Sequence, residues 1–193
     1  MASSSSSSSD PAKAKPPSVE VILGIYVVLG SLMSFLCGRP LGTVAEVDEV
    51  LPSTIVVCLF LISYSVYDVM GSGVAKAKAD YIIYKDYKEW PARLPEEAYL
   101  AERAQMNQLE QMPNFLIGIM LFSFLVNGTV GAVLGLTWVI LRRLYAAKYR
   151  ASVGKKLADK GLGTFTIPCY FIVNTLLMAP VIHALRWIVA TKM

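Results

Sequence analysis

The sequence predicts an all-α membrane protein: a four-helix transmembrane bundle with an extra N-terminal transmembrane helix. Three observations carry that expectation. The 193 residues are 55% hydrophobic with a mean hydropathy of +0.52, too apolar for a soluble domain of this size. Only 17% of residues are charged, and these cluster between long apolar runs. Five apolar segments, at roughly 19–37, 53–75, 107–127, 129–147 and 165–190, approach or exceed the ~20 residues that cross a bilayer at ~1.5 Å rise per residue.

The elements follow in order. Residues 1–18, "MASSSSSSSDPAKAKPPS", form a Ser/Pro-rich low-complexity tail that is expected to be disordered. Residues 19–52 hold an apolar segment and an acidic loop with Glu46, Asp48 and Glu49. The apolar part, "VEVILGIYVVLGSLMSFLC", follows Lys13 and Lys15 but lacks a small-x-small cleavage site. It reads as an uncleaved span, with a cleaved signal segment as the alternative. Residues 53–193 carry the remaining four segments, the four-helix domain. With a cytosolic N-terminus and five crossings, the cytosolic parts are the tail, 76–103 and 142–163. They hold fifteen of the eighteen Lys and Arg, as the positive-inside rule requires. Arg39, Arg186 and Lys192 fall outside. "NGT" at 127–129 joins two spans on the opposite side.

Several function classes are excluded or disfavoured at this stage. The net charge of +4 does not point to nucleic acid. Cys37, Cys58 and Cys169 show neither CxxC nor Cys/His spacing and read as packing residues. A single histidine, His183, rules out a histidine-based triad or a multi-histidine metal site, and no metal is expected.

Polar groups interrupt the apolar pattern in two places. In "ERAQMNQLEQMPNF", Arg103, Asn107 and Glu110 fall within an arc of about 60° on a helix turning ~100° per residue. Gln111 sits just off that arc, and Pro113 is expected to kink the helix just below it. Asn and Glu are not topology signals, and ionisable groups in a span point to function by default. In "WVILRRLYAAKYRASVGKK", Arg142, Tyr145 and Tyr149 share a similar arc. Antiparallel helices joined by a short turn bring the two stripes together. Lys155 and Lys156 follow, and Lys76 and Lys78 leave the second apolar segment nearby. Cations, one carboxylate, an amide and phenols suit a small zwitterionic ligand with more than one carboxylate and an amine. Lys148, Arg150 and Lys160 read as plain topology charges. Asp68 is expected either to pack among polar groups or to contact a neighbouring helix.

"ERAQMNQLEQMPNF" resembles the R-A-x-x-N-x-x-E-x-x-P-x-F signature of the MAPEG family, the membrane-associated proteins of eicosanoid and glutathione metabolism. "LGLTWVILRRLYAAKY" resembles that family's later segment, an Arg followed by two tyrosines, and "GVAKAKADY" is similar to its V-x-x-A-R-x-x-Y loop entry. Together these cover roughly residues 53–190 in matching order. Within the family the chain looks most similar to the microsomal glutathione S-transferase type-three branch. The resemblance implies a homotrimer in the endoplasmic reticulum membrane. Glutathione would bind at the subunit interface near the cytosolic side, through Lys78, Arg103, Gln105, Asn107, Glu110, Tyr145 and Tyr149. Gln111, Lys78 and Lys156 depart from the family's tyrosine and arginines, and Lys lacks the bidentate geometry of Arg.

Thiol chemistry then assigns catalytic roles to Lys156, Tyr149 and Arg142. The thiolate is the nucleophile, and a free thiol of pKa ~8.5 is mostly protonated at neutral pH. Lys156 or Arg142 would stabilise the thiolate, and Tyr149 or Tyr145 would donate to its sulfur. The expected activity is a glutathione transferase or peroxidase acting on lipophilic electrophiles or lipid hydroperoxides from the membrane lipid. The alternatives are a non-catalytic lipid- or glutathione-binding protein and an accessory membrane subunit.

Overall fold

The computed structural model describes residues 18–78, 95–155 and 161–193. Five long helices account for most of them. They are α1 (Val19–Leu36), α2 (Val47–Lys78), α3 (Glu96–Leu125), α4 (Gly128–Arg150) and α5 (Gly163–Lys192). Helices α2 to α5 form a bundle, and α1 packs on its outside against α5. The N-terminal tail and Lys160 lie outside the described residues.

Four helices, α1, α2, α4 and α5, are long and apolar enough to cross a membrane, so the chain is a membrane protein. Helix α3 differs from the sequence expectation for 107–127. Its 30 residues exceed a span in length, but Asn107, Gln108, Glu110 and Gln111 dilute its apolar half. Pro113 lies inside α3 without interrupting it. Asn127 caps α4 by accepting from the Val130 amide at 3.0 Å. A two-residue connection between α3 and α4 makes them antiparallel neighbours.

Helix α2 is continuous but not uniform. A capping box of Glu46 and Glu49 opens it, satisfying two of the amides that a helix start leaves orphaned. Midway, Tyr64–Val69 widens into a π-turn, with the Met70 amide donating to the Ser65 carbonyl. Such turns are uncommon and often accompany functional positions.

The core lies between α2, α3, α4 and α5. Phe115 and Trp138 stack at 4.0 Å between centroids, and Phe60 meets both edge-on at 5.2 and 5.3 Å. Each such pair contributes roughly 0.5–1.5 kcal/mol beyond area burial. Val173, Leu176 and Cys169 of α5 complete this core. The three cysteines are free; Cys169 is buried, Cys37 half-buried, and Cys58 exposed rather than packed within this chain, and His183 is buried.

Helix α1 joins the bundle through small residues. Gly30 and Ser34, one turn apart, are its buried positions, and a Cβ on Gly30 would lie 2.8 Å from Met178 Cβ. Small residues let helices in lipid approach closely, where packing drives association. Arg186 of α5 then donates to the Ser34 carbonyl at 2.8 Å and to its hydroxyl at 3.0 Å. Gly30→Leu is therefore expected to lower stability by about 1–3 kcal/mol, read as a fall in Tm in detergent. Gly24→Leu, where a Cβ meets nothing within 4 Å, is expected to leave Tm nearly unchanged.

Candidate functional site

The α3 and α4 polar stripes meet at Asn107. Asn107 Nδ2 donates to Tyr145 Oη at 2.9 Å. Arg142 Nη2 donates to the Asn107 carbonyl, and Arg142 Nε donates to Gln108 Oε1 at 2.8 Å. Gln108 answers by donating Nε2 to the Arg142 carbonyl at 3.0 Å. The two residues thus hold each other reciprocally across the helix pair.

Burial gives this arrangement its chemical meaning. Arg142 is 4% exposed and Gln108 fully buried. A buried cation ordinarily carries a carboxylate partner, because desolvation of an unpaired charge costs several kcal/mol. Among the described residues Arg142 has none; its partners are neutral amides and carbonyls. The rings of Tyr145 and Trp138 lie 4.8 and 5.7 Å from the guanidinium carbon, adding cation–π attraction. Among the described residues the charge is held in position without an ion-pair partner.

Tyr145 accepts from Asn107, so its own proton remains to be donated. Tyr149 lies beside it, ring centroids 5.8 Å apart. Both pack among Leu100, Ala104 and Ala146, with Leu162 and Phe165 against them. This apolar surround lowers the local dielectric and strengthens each polar contact.

The other sequence-predicted residues fall around this nucleus. Arg103 and Gln105 are half-buried and Glu110 is exposed; none has a hydrogen-bond or ion-pair partner among the described residues. Lys78 is exposed at the end of α2. Lys76 pairs with Glu102 at 3.1 Å, drawing that end of α2 onto α3 beside Arg103. Lys156 lies outside the described residues. The segment just before it folds back on α3: Gly154, at φ +72°, donates its amide to Glu96 Oε1 at 2.9 Å. Lys155 is exposed there.

Two residues of consequence escaped the sequence reading. Gln108 falls off the arc of Arg103, Asn107 and Glu110, and only its facing partner reveals its role. Arg150 reads from sequence as a topology charge, yet it donates to Asp68 Oδ1 at 3.2 Å. Arg143 bonds the other oxygen of Asp68. Asp68 therefore contacts the neighbouring helix, one of its two expected roles. A run such as "LRRLYAAKYR" does not reveal which of its cations are paired. Among the described residues no cluster of metal-ligating side chains occurs.

Comparison with known proteins places the chain in a family. A family model, described as the MAPEG family, matches residues 52–179, well over half of the chain. The chain is similar to an uncharacterized protein of Synechocystis sp., 33% identical over 101 residues, covering 52% of this chain and 70% of that protein. No solved structure matches.

Proposed function

The chain belongs to the MAPEG family, and from that premise we propose that it is a membrane glutathione transferase or peroxidase. The observation that carries this reading is Arg142, a buried cation held only by neutral groups, next to a tyrosine whose proton is free to donate. Together they suit an anionic group such as a thiolate or a carboxylate of glutathione.

In this reading glutathione lies along the α3 and α4 stripes. Arg103 takes a carboxylate, Asn107 a peptide group and Glu110 the ammonium, with Gln105 and Lys78 at the margin. Arg142 stabilises the thiolate, and Tyr145 or Tyr149 donates to sulfur, lowering the thiol pKa toward neutrality. Lys156 provides a second cation beside the sulfur. The thiolate attacks an electrophilic carbon of a lipophilic substrate from the bilayer as the leaving group departs with the bonding pair. Alternatively it attacks a hydroperoxide oxygen, breaking the O–O bond to give a sulfenic acid and an alkoxide that takes a proton; a second glutathione then converts the sulfenic acid to disulfide and water. Glu110 is exposed and has no hydrogen-bond or ion-pair partner among the described residues, which supports a site completed by a second copy, in a homotrimer. The endoplasmic reticulum membrane, with these loops in the cytosol, fits the charge distribution.

Calorimetry on the purified protein tests the reading directly. Glutathione is expected to bind, and its complex to show thiolate absorbance in the ultraviolet at neutral pH. Turnover is expected with a halogenated aromatic or a lipid hydroperoxide. Absence of glutathione binding overturns the proposal. Binding without thiolate absorbance or turnover points to a non-catalytic member of the family.

A further inference from the structure

We propose that a second groove, between α2 and α4, is a binding site for the phosphate of an anionic phospholipid. The groove has a volume of about 410 Å³ and is lined by Tyr67, Arg143, Leu144, Ala147 and Arg150. Arg143 and Arg150 are seven residues apart, so they lie nearly one above the other, two turns apart. Arg143 is one residue beyond Arg142, ~100° round the helix, so the groove opens on a different face from the α3–α4 site.

The π-turn of α2 builds its floor. Asp68 is fully buried there, taking Arg143 on one carboxylate oxygen and Arg150 on the other. The same turn offers carbonyls: Arg150 donates to Tyr67 at 2.9 Å, and Arg143 approaches Ser63 at 3.4 Å. Two arginines facing one carboxylate leave a net charge of +1. Donors also remain. Arg143 Nε is buried without a hydrogen bond, and Arg150, which lines the groove, makes its bonds through Nη1, so its Nε and Nη2 are unused among the described residues. Arginine satisfies phosphate through several such donors at once.

Depth and surroundings select a lipid as the source of that phosphate. Arg143 and Arg150 stand ~22 and ~33 Å along α4 from Gly128, against a hydrocarbon core of ~30 Å. With Gly128 at the far edge of that core, Arg150 lies at headgroup level and Arg143 two turns below it, at the end of the bundle where most Lys and Arg of the described residues gather. Leu144 is exposed between the two arginines, and below Arg143 the exposed face continues as Ile140, Leu136 and Val133 of α4. That is a track for an acyl chain leading down from the phosphate. Basic pockets between membrane helices bind anionic headgroups in this way.

The test is native mass spectrometry of the detergent-solubilised full chain, titrated with phosphatidylglycerol and with phosphatidylcholine. Phosphatidylglycerol is expected to bind at one molecule per chain, at least ten-fold more tightly than phosphatidylcholine. The double variant R143Q/R150Q is expected to erase that preference. R150Q, which keeps the Arg143–Asp68 pair and with it the fold, is expected to reduce it several-fold. D68N is expected to strengthen phosphatidylglycerol binding, because it raises the groove's net charge. Millimolar inorganic phosphate is expected not to displace the lipid. Equal affinity for the two lipids overturns the proposal, as does a preference that survives R143Q/R150Q. Displacement by free phosphate overturns the lipid as the source. A folded D68N that loses binding as R150Q does shows a purely structural cluster and also overturns it.

Discussion

Arg142→Ala is expected to weaken glutathione binding by about ten- to a hundred-fold and to destabilise the bundle. A hydrogen bond to a charged group contributes about 1.5–3 kcal/mol, and each buried polar group left unsatisfied costs about 1–3 kcal/mol. The variant removes the guanidinium, strands Gln108 Oε1 and takes a second donor from the Asn107 carbonyl. A lost binding signal alone therefore does not separate the two effects. Gln108→Glu does. It places a carboxylate where Arg142 Nε now meets a neutral oxygen. The fold is expected to survive, because the new ion pair offsets the loss of the Gln108 Nε2 donation to the Arg142 carbonyl. Glutathione affinity is expected to fall at least ten-fold, because the positive charge is then neutralised within the protein. If Gln108→Glu keeps full affinity, the uncompensated charge of Arg142 is not what binds the ligand. Calorimetry with a parallel melt in detergent reads both quantities.

Gly128→Ala is expected to have the largest effect on the fold. Gly128 opens α4 directly against the start of α2. A Cβ there would lie 1.8 Å from the Glu49 carbonyl oxygen and 2.8 Å from its carbon. Both obstacles are backbone, so no rotamer change relieves them. The Ser53 hydroxyl also donates to the Gly128 carbonyl at 3.0 Å, and Ser123 donates to Ser53 at 2.6 Å. Parting the two backbones breaks this buried chain as well. A loss of about 3 kcal/mol or more follows, at or beyond the upper end for overpacking. Gly73→Ala supplies the contrast. Its Cβ meets nothing within 4 Å, and alanine is the better helix former by roughly 0.5–1 kcal/mol. Gly73→Ala is expected to raise Tm slightly while Gly128→Ala lowers it sharply. Equal melting of the two variants contradicts the close approach at Gly128.

The helices were legible in the sequence because lipid imposes a simple rule. A backbone without water must satisfy its own hydrogen bonds, so long apolar runs become helices. The segments near 53–75, 129–147 and 165–190 appear as α2, α4 and α5, and 19–37 as α1. The α3–α4 contact was legible for a related reason. Helical periodicity places Asn107 and Tyr145 on definite faces, and a short connection makes those faces neighbours. The Asn107–Tyr145 hydrogen bond follows from arithmetic and a turn.

Periodicity does not state what a face meets. Gln108 lies outside the stripe chosen from spacing, yet it holds Arg142. Arg150 has the sequence signature of a topology charge, yet it shares Asp68 with Arg143. The π-turn that sets Asp68 toward α4 shifts the register of α2 away from the 3.6-residue repeat on which the sequence arithmetic rests.

By itself, the sequence determined that the chain is an all-helical membrane protein, where its helices run, and which two polar stripes oppose each other. These are local matters of hydropathy and helical repeat, set within some twenty residues. The tertiary structure alone decided which cations are paired and which are not. Arg143 and Arg150 share a carboxylate 75 and 82 residues away, while among the described residues Arg142 meets only neutral partners. Charge compensation depends on which helix packs against which and at what rotation, and the spacing within one helix carries no record of that.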